Sequence, residues 1–153
     1  MEAMKILLVD DEERFLSTTQ KLLTKKGIDV VTAASGAEAL EILQHKYIHV
    51  VILDVKMPGM DGNETLKEIK RQFPLVEVIM LTGHATVESA IDGLKSGATD
   101  YMMKPTDIDE LIEKASEAFN KRQHLEEKIL MAQSRKYMKS PREILKEAEK
   151  PEH

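Results

Sequence analysis

Short apolar runs alternate along this chain with stretches whose apolar positions recur every three or four residues. The runs are ILLV (6–9), DVVTA (29–33), VVIL (50–53), VEVIML (76–81) and YMM (101–103). They are brief, mostly rich in branched residues, and followed by turn-forming or charged residues. That is the pattern of strands buried on both faces of a parallel sheet. The stretches between them carry helix boundary signals. Phe15, Leu16, Thr19, Leu22 and Leu23 share one face, and Gly27 closes that helix. Ser35 with Glu38 reads as a capping box for a helix through Leu43. Asp61 with Glu64 reads as a second, leading to Leu66, Ile69 and Phe73 before Pro74. Thr86 caps a pattern of Val87, Ala90, Ile91 and Leu94 that Gly97 ends. Thr106 or Asp107 opens one through Ile108, Leu111, Ile112 and Ala115.

Strand and helix therefore alternate five times within residues 1–120. Such alternation predicts an α/β domain, a five-stranded parallel sheet doubly wound with helices on both faces. Right-handed crossovers make the flavodoxin-like strand order 2-1-3-4-5 the simplest arrangement. Residues 1–120 are expected to form this domain, and residues 121–153 a helical C-terminal extension or linker. Ligands of such sheets bind beyond the carboxyl ends of the strands.

Composition removes several function classes. Cysteine is absent, which excludes disulfides, thiolate metal sites and a cysteine nucleophile. No apolar run approaches the roughly 18 residues of a membrane span. The opening MEAMKILLVDDEE passes straight from apolar residues to four acids, unlike a signal peptide. The expected setting is cytoplasmic, with no membrane partner. Charge is uneven: residues 1–120 hold 13 basic and 21 acidic side chains, residues 121–153 hold 9 and 6. The acidic body is a poor surface for nucleic acid, and the mildly basic tail points to a region with a different job.

The chemistry gathers where the strands end. Asp10 and Asp11 follow the first strand, Asp54 the third, Thr82 the fourth and Lys104 the fifth. In a parallel sheet these ends share one edge, so three carboxylates, a hydroxyl and an ammonium converge. A hard divalent cation removes the mutual repulsion of the carboxylates, and magnesium prefers such oxygen ligands beside a phosphate. Lys104 can hold a phosphoryl oxygen and Thr82 can hydrogen-bond another. A carboxylate can itself accept the phosphoryl group as an aspartyl phosphate, and Asp54, between the metal ligands and the lysine, is the natural acceptor. Taken singly, each residue has a plainer reading. The acids could merely start a helix, and an aspartate before Met57-Pro58-Gly59 is a common turn residue. Neither reading accounts for the register of all five.

The stretches ILLVDDEE, VVILDVKMPGMDG, VIMLTGHA and GATDYMMKP, in that order, resemble the receiver domain of two-component response regulators. The resemblance covers residues 4 to 120, and LTGHATVESAIDGLKSGATDYMMKP is particularly similar to receivers of enhancer-binding transcription activators. It implies that a sensor histidine kinase phosphorylates Asp54. It implies that Asp11 binds magnesium directly, Asp10 largely through water, and the backbone carbonyl of Lys56 as a further ligand. Thr82 and Lys104 would contact the phosphoryl group, Tyr101 would be a switch aromatic, and the Lys104–Pro105 bond would be cis. Lys56 and His84 stand where this family varies most, near the attacking water of dephosphorylation, and are expected to tune the lifetime of the phosphoryl group. Thr106 departs from the large apolar residue usual after Lys-Pro.

The resulting expectation is a phosphorylation-dependent switch, with no enzymatic turnover beyond accepting and losing its own phosphoryl group. Its output would be altered protein contacts or dimerisation. The alternative is a degenerate receiver acting as a phosphorylation-independent binding module. A flavin-binding fold would need a hydroxyl- and glycine-rich loop where DDEE stands, and a haloacid-dehalogenase-type phosphatase would need an acid where Lys56 stands. In the tail, Ala118, Arg122, Leu125, Ile129, Ala132 and Lys136 follow a 4,3 spacing. They read either as a solvated extension of the last helix or as a dimerising coiled-coil linker. A homodimer would use the fourth helix, fifth strand, fifth helix and this extension. Ser140-Pro141-Arg142-Glu143 would open another short helix, to about residue 150.

Overall fold

The computed structural model describes residues 3–57, 59–83 and 86–137. Strands β1 Lys5–Val9, β2 Asp29–Ala33, β3 Val50–Leu53, β4 Glu77–Thr82 and β5 Asp100–Met103 alternate with helices α1 Glu13–Lys25, α2 Gly36–His45, α3 Gly62–Gln72, α4 Val87–Lys95 and α5 Ile108–Tyr137. The strands form one parallel sheet in the order β2-β1-β3-β4-β5. This is the expected doubly wound arrangement. The fourth strand runs one residue further than its apolar pattern and takes in Thr82.

Alternate side chains of the central strands face opposite layers. Leu7, Val9, Val51, Leu53, Val78 and Met80 pack with Ala39 and Leu43 of α2 and Leu66 and Ile69 of α3. Ile6, Leu8, Val50, Ile52, Ile79 and Leu81 pack with Leu16 and Leu23 of α1 and Leu111, Ala115 and Ala118 of α5. The sheet therefore sits between two apolar layers, and β1, β3 and β4 are sealed on both faces.

Helix ends follow the sequence signals, with changes at the two expected capping boxes, neither of which is reciprocal. Ser35 accepts the amide of Glu38, but Glu38 reaches back to the amide of Ala34 and not to that of Ser35. Asp61 caps α3 through the amide of Glu64. Gly27 and Gly97 take the left-handed conformation, with φ of 80° and 106°. The Lys104–Pro105 bond is cis.

The chain falls into two compact units divided after Arg122. Ala118 and Arg122 belong to the first and are buried there. The guanidinium of Arg122 donates to the carbonyl of Ile48 and lies 4.8 Å from the ring centre of Tyr47. These two positions are therefore not part of a solvent-facing seam, because their helical spacing serves the sheet. In the second unit the helix carries exposed Leu125, Ile129, Leu130 and Met131. His84, and the helix expected after Ser140, lie outside the described residues. No helix among the described residues is long and apolar enough to cross a membrane.

Candidate functional site

The sheet's own hydrogen-bond ladder sets the site residues. Beyond β1 the amide of Asp10 donates to the carbonyl of Ala33 at 3.1 Å, and beyond β3 the amide of Asp54 donates to that of Val9 at 3.0 Å. Beyond β5 the amide of Lys104 donates to the carbonyl of Thr82 at 2.9 Å. Each residue is thus the first past a strand and is held by the sheet's ladder, not by a free loop. Gly62 is what lets α3 start directly over the end of β3. A Cβ there would lie 2.2 Å from the carbonyl oxygen of Asp54 and 2.5 Å from the Cα of Val55. The Gly62 amide donates to the carbonyl of Val55 at 2.7 Å.

Asp10, Asp11 and Asp54 each offer a carboxylate oxygen within 4.8 Å of the other two. Asp10 and Asp54 are buried and Asp11 is exposed, so the cluster opens to solvent on one side. One oxygen of Asp10 accepts the amide of Glu12 at 3.0 Å, and the other accepts the ammonium of Lys104 at 2.5 Å. Burial nevertheless pushes the Asp10 carboxyl above its ordinary pKa, more strongly than its bond to Lys104 lowers it, and the nearby charge of Asp54 adds to the rise. Lys104, mostly covered, also lies 4.0 Å from the ring centre of Phe15 and 3.9 Å from a carboxylate oxygen of Glu12.

Asp54 differs from its neighbours. Its Oδ1 is buried and has no hydrogen-bond partner. A carboxylate oxygen in that state is costly unless a cation or a reacting group meets it. With two more carboxylates within reach, the donor set is all oxygen and suits a hard divalent cation, magnesium above softer metals. Asp10, with both oxygens already engaged, suits a role through water, whereas Asp11 and Asp54 have the freer oxygens.

Thr82 is fully buried at the end of β4. Lys56 is exposed two residues past Asp54. Tyr101 is half-buried on β5 and shares a hydrogen bond with the hydroxyl of Ser89 on α4, at 2.9 Å. The sequence signalled Asp10, Asp11, Asp54, Thr82 and Lys104 at the strand ends, and the sheet brings these ends to one edge. It did not signal Ser89, whose only mark was its place three residues after the cap Thr86. Nor did it signal the packing of His49, which is fully buried between Tyr47 and Phe119 and accepts the amide of Lys5 at 3.0 Å. His49 lies on β1's opposite end from the carboxylates and is structural.

Known proteins resemble this chain over most of the domain. A family model described as the response regulator receiver domain matches residues 6–116. The transcriptional regulatory protein ZraR of Klebsiella oxytoca is 43% identical over 117 residues, covering 76% of this chain and 26% of that protein. The DNA-binding transcriptional regulator NtrC of Escherichia coli K12 is 37% identical over 121 residues, covering 77% of this chain and 26% of its own length. The chain thus spans about a quarter of the length of the curated relatives it matches. Among solved structures, a response regulator receiver domain from Clostridium thermocellum has a TM-score of 0.76 at 40% identity, covering 80% of this chain and 98% of its own. A CheY-like receiver from Methanospirillum hungatei has a TM-score of 0.77 at 32% identity, covering 80% and 98%.

Proposed function

The chain belongs to the response regulator receiver domain family of two-component systems, and on that premise we propose that it switches when Asp54 accepts a phosphoryl group from a sensor histidine kinase. The observation that carries this reading is the buried Oδ1 of Asp54, without a partner in a cluster of three carboxylates. Asp11 and Asp54 would hold magnesium directly, Asp10 through water, and the Lys56 carbonyl would complete the protein's share. Bound magnesium supplies positive charge beside the phosphoryl oxygens.

A carboxylate oxygen of Asp54 attacks the phosphorus of a phosphohistidine. The phosphorus–nitrogen bond breaks, its electron pair stays on the imidazole, and an acyl phosphate forms. Lys104 exchanges Asp10 for a phosphoryl oxygen, and the Thr82 hydroxyl takes another. Tyr101 responds to the movement of Thr82. Lys56 and His84, at the positions where the family varies most, would set the lifetime of the phosphoryl group.

The output surface is α4 with β5. Val87, Ile91 and Leu94 recur on one face of α4 and are exposed, as is Met103 on β5. We read this face, with the helical extension from residue 121, as the place where contacts with a second copy or a partner change. The receiver itself does not bind nucleic acid in this scheme, and it works in the cytoplasm beside its kinase.

The test is labelling by acetyl phosphate with magnesium. The wild-type chain should take one phosphoryl group, and Asp54→Asn none. Label on Asp54→Asn, or its absence from the wild type in magnesium, would remove the assignment.

A further inference from the structure

The hydroxyl of Ser89 stands between two structures that otherwise share no side-chain hydrogen bond among those described. On one side is the N-terminus of α4. Thr86 and Ser89 form a reciprocal capping box: the Ser89 amide donates to the Thr86 hydroxyl at 3.0 Å, and the Thr86 amide donates to the Ser89 hydroxyl at 3.0 Å. On the other side is Tyr101 on β5, whose hydroxyl lies 2.9 Å from that same Ser89 oxygen.

A serine hydroxyl has one proton and two lone pairs. Four groups reach for it here: the Thr86 amide, the Thr86 hydroxyl at 3.0 Å, the Thr86 carbonyl at 3.1 Å and the Tyr101 hydroxyl. It cannot satisfy all four at once. If its proton goes to the Thr86 carbonyl and one lone pair to the Thr86 amide, the hydroxyls of Thr86 and Tyr101 compete for the other. Release of Tyr101 therefore leaves Ser89 with a ready replacement. The contact is cheap to break and specific when made, as a switching contact has to be.

The surroundings make the start of α4 responsive. Gly93 is the one residue of α4 that is buried. The Tyr101 ring packs against this glycine: a Cβ there would lie 3.4 Å from it, an ordinary contact. A nine-residue helix with an interior glycine and its large apolar residues in solvent is weakly held. Tyr101 is thus a main brace of α4 against the sheet, through its ring on Gly93 and its hydroxyl on Ser89.

We infer that Ser89 is a positioning residue that latches Tyr101 to the capping box of α4 in the resting protein, so that the ring and the start of the helix move together. The inference rests on the phosphorylation reading above. It goes beyond that reading by naming the residue through which Tyr101 acts on α4 and the direction of the effect: the latch opposes switching.

The experiment is beryllofluoride binding by the full chain in magnesium, for the wild type, Ser89→Ala, Tyr101→Phe and the double variant. Fluorotyrosine NMR supplies a second readout. With three tyrosines in the chain, Tyr101 is identified by the signal lost in Tyr101→Phe. Loss of one half-buried hydrogen bond from the resting state alone should raise the apparent affinity about two- to tenfold in each single variant. The double variant should gain no more than Tyr101→Phe does. Ser89→Thr, which keeps the hydroxyl, should behave as the wild type. The Tyr101 signal should move in Ser89→Ala before any beryllofluoride is added. Tyr101→Phe leaves the capping box intact and so separates the latch from helix capping. An unchanged affinity in Ser89→Ala, or single effects that add in full, would overturn the latch while leaving Asp54 as the acceptor. A wild type that binds no beryllofluoride would overturn both.

Discussion

Asp10 shows how a residue of the proposed site can be expensive to the fold. It is 1% exposed, and burial holds its pKa above the ordinary 3.8 even with Lys104 in contact. The folded state therefore binds the Asp10 proton more tightly than the unfolded state does. The group's contribution to stability is fully present below 3.8 and is lost as pH rises through the raised value. At neutral pH its charge opposes folding. Asp10→Asn removes that charge and its repulsion of Asp54, so the metal-free variant should be more stable than the wild type by on the order of 1 kcal/mol. Urea unfolding without metal would measure this, and the gap should narrow as pH is lowered toward 3.8. Magnesium should reverse the ranking. It should raise the midpoint of the wild type, whose three carboxylates it neutralises, and barely move that of Asp10→Asn. A variant less stable than the wild type in both conditions would mean that the pair with Lys104 outweighs the burial.

At the scale of elements, α3 seats so closely on the end of β3 that position 62 has no room for a side chain beside the Asp54 backbone. Gly62→Ala places a methyl group against the Asp54 carbonyl and Val55, both backbone, so neither can swing away. The expected loss is about 1–3 kcal/mol, with a weaker magnesium response because the shift falls on Asp54 itself. A destabilised variant with undiminished magnesium stabilisation would separate the seating from the site. In the sequence Gly62 was not singled out, since a clash with a residue eight positions back has no local signature. What was legible follows a period. The strands were readable from apolar runs, and the five site residues from their place after those runs, because a parallel sheet fixes which ends meet. Arg122 shows the limit. Over a few turns the spacing of a coiled-coil seam and that of a core-facing helix are almost the same. It takes partners far away in sequence, such as the carbonyl of Ile48, 74 positions back, to show that Arg122 faces the domain. Ser89 was missed for a similar reason, since its second partner, Tyr101, arrives from another strand.

For the whole molecule, the question is whether the switch needs the chain beyond the sheet. Both apolar layers, the carboxylate cluster, Lys104, Thr82 and the Ser89–Tyr101 contact lie before residue 123. The compact unit ends at Arg122, which is buried and donates to the carbonyl of Ile48. The helix from residue 123 to 137 carries Leu125, Ile129, Leu130 and Met131 in solvent. Exposed apolar residues on a helix stabilise an isolated chain little and favour association more. A chain ending at residue 124 should therefore unfold within about 1 kcal/mol of the full chain. It should take phosphoryl label on Asp54 equally well. Light scattering with beryllofluoride and magnesium should then show where association resides. If the full chain gains mass and the shortened chain does not, the extension carries the contact. If both gain mass alike, the exposed face of α4 and β5 carries it alone. A shortened chain that no longer takes label would show that the domain needs residues beyond 124, contrary to the division argued from the sequence.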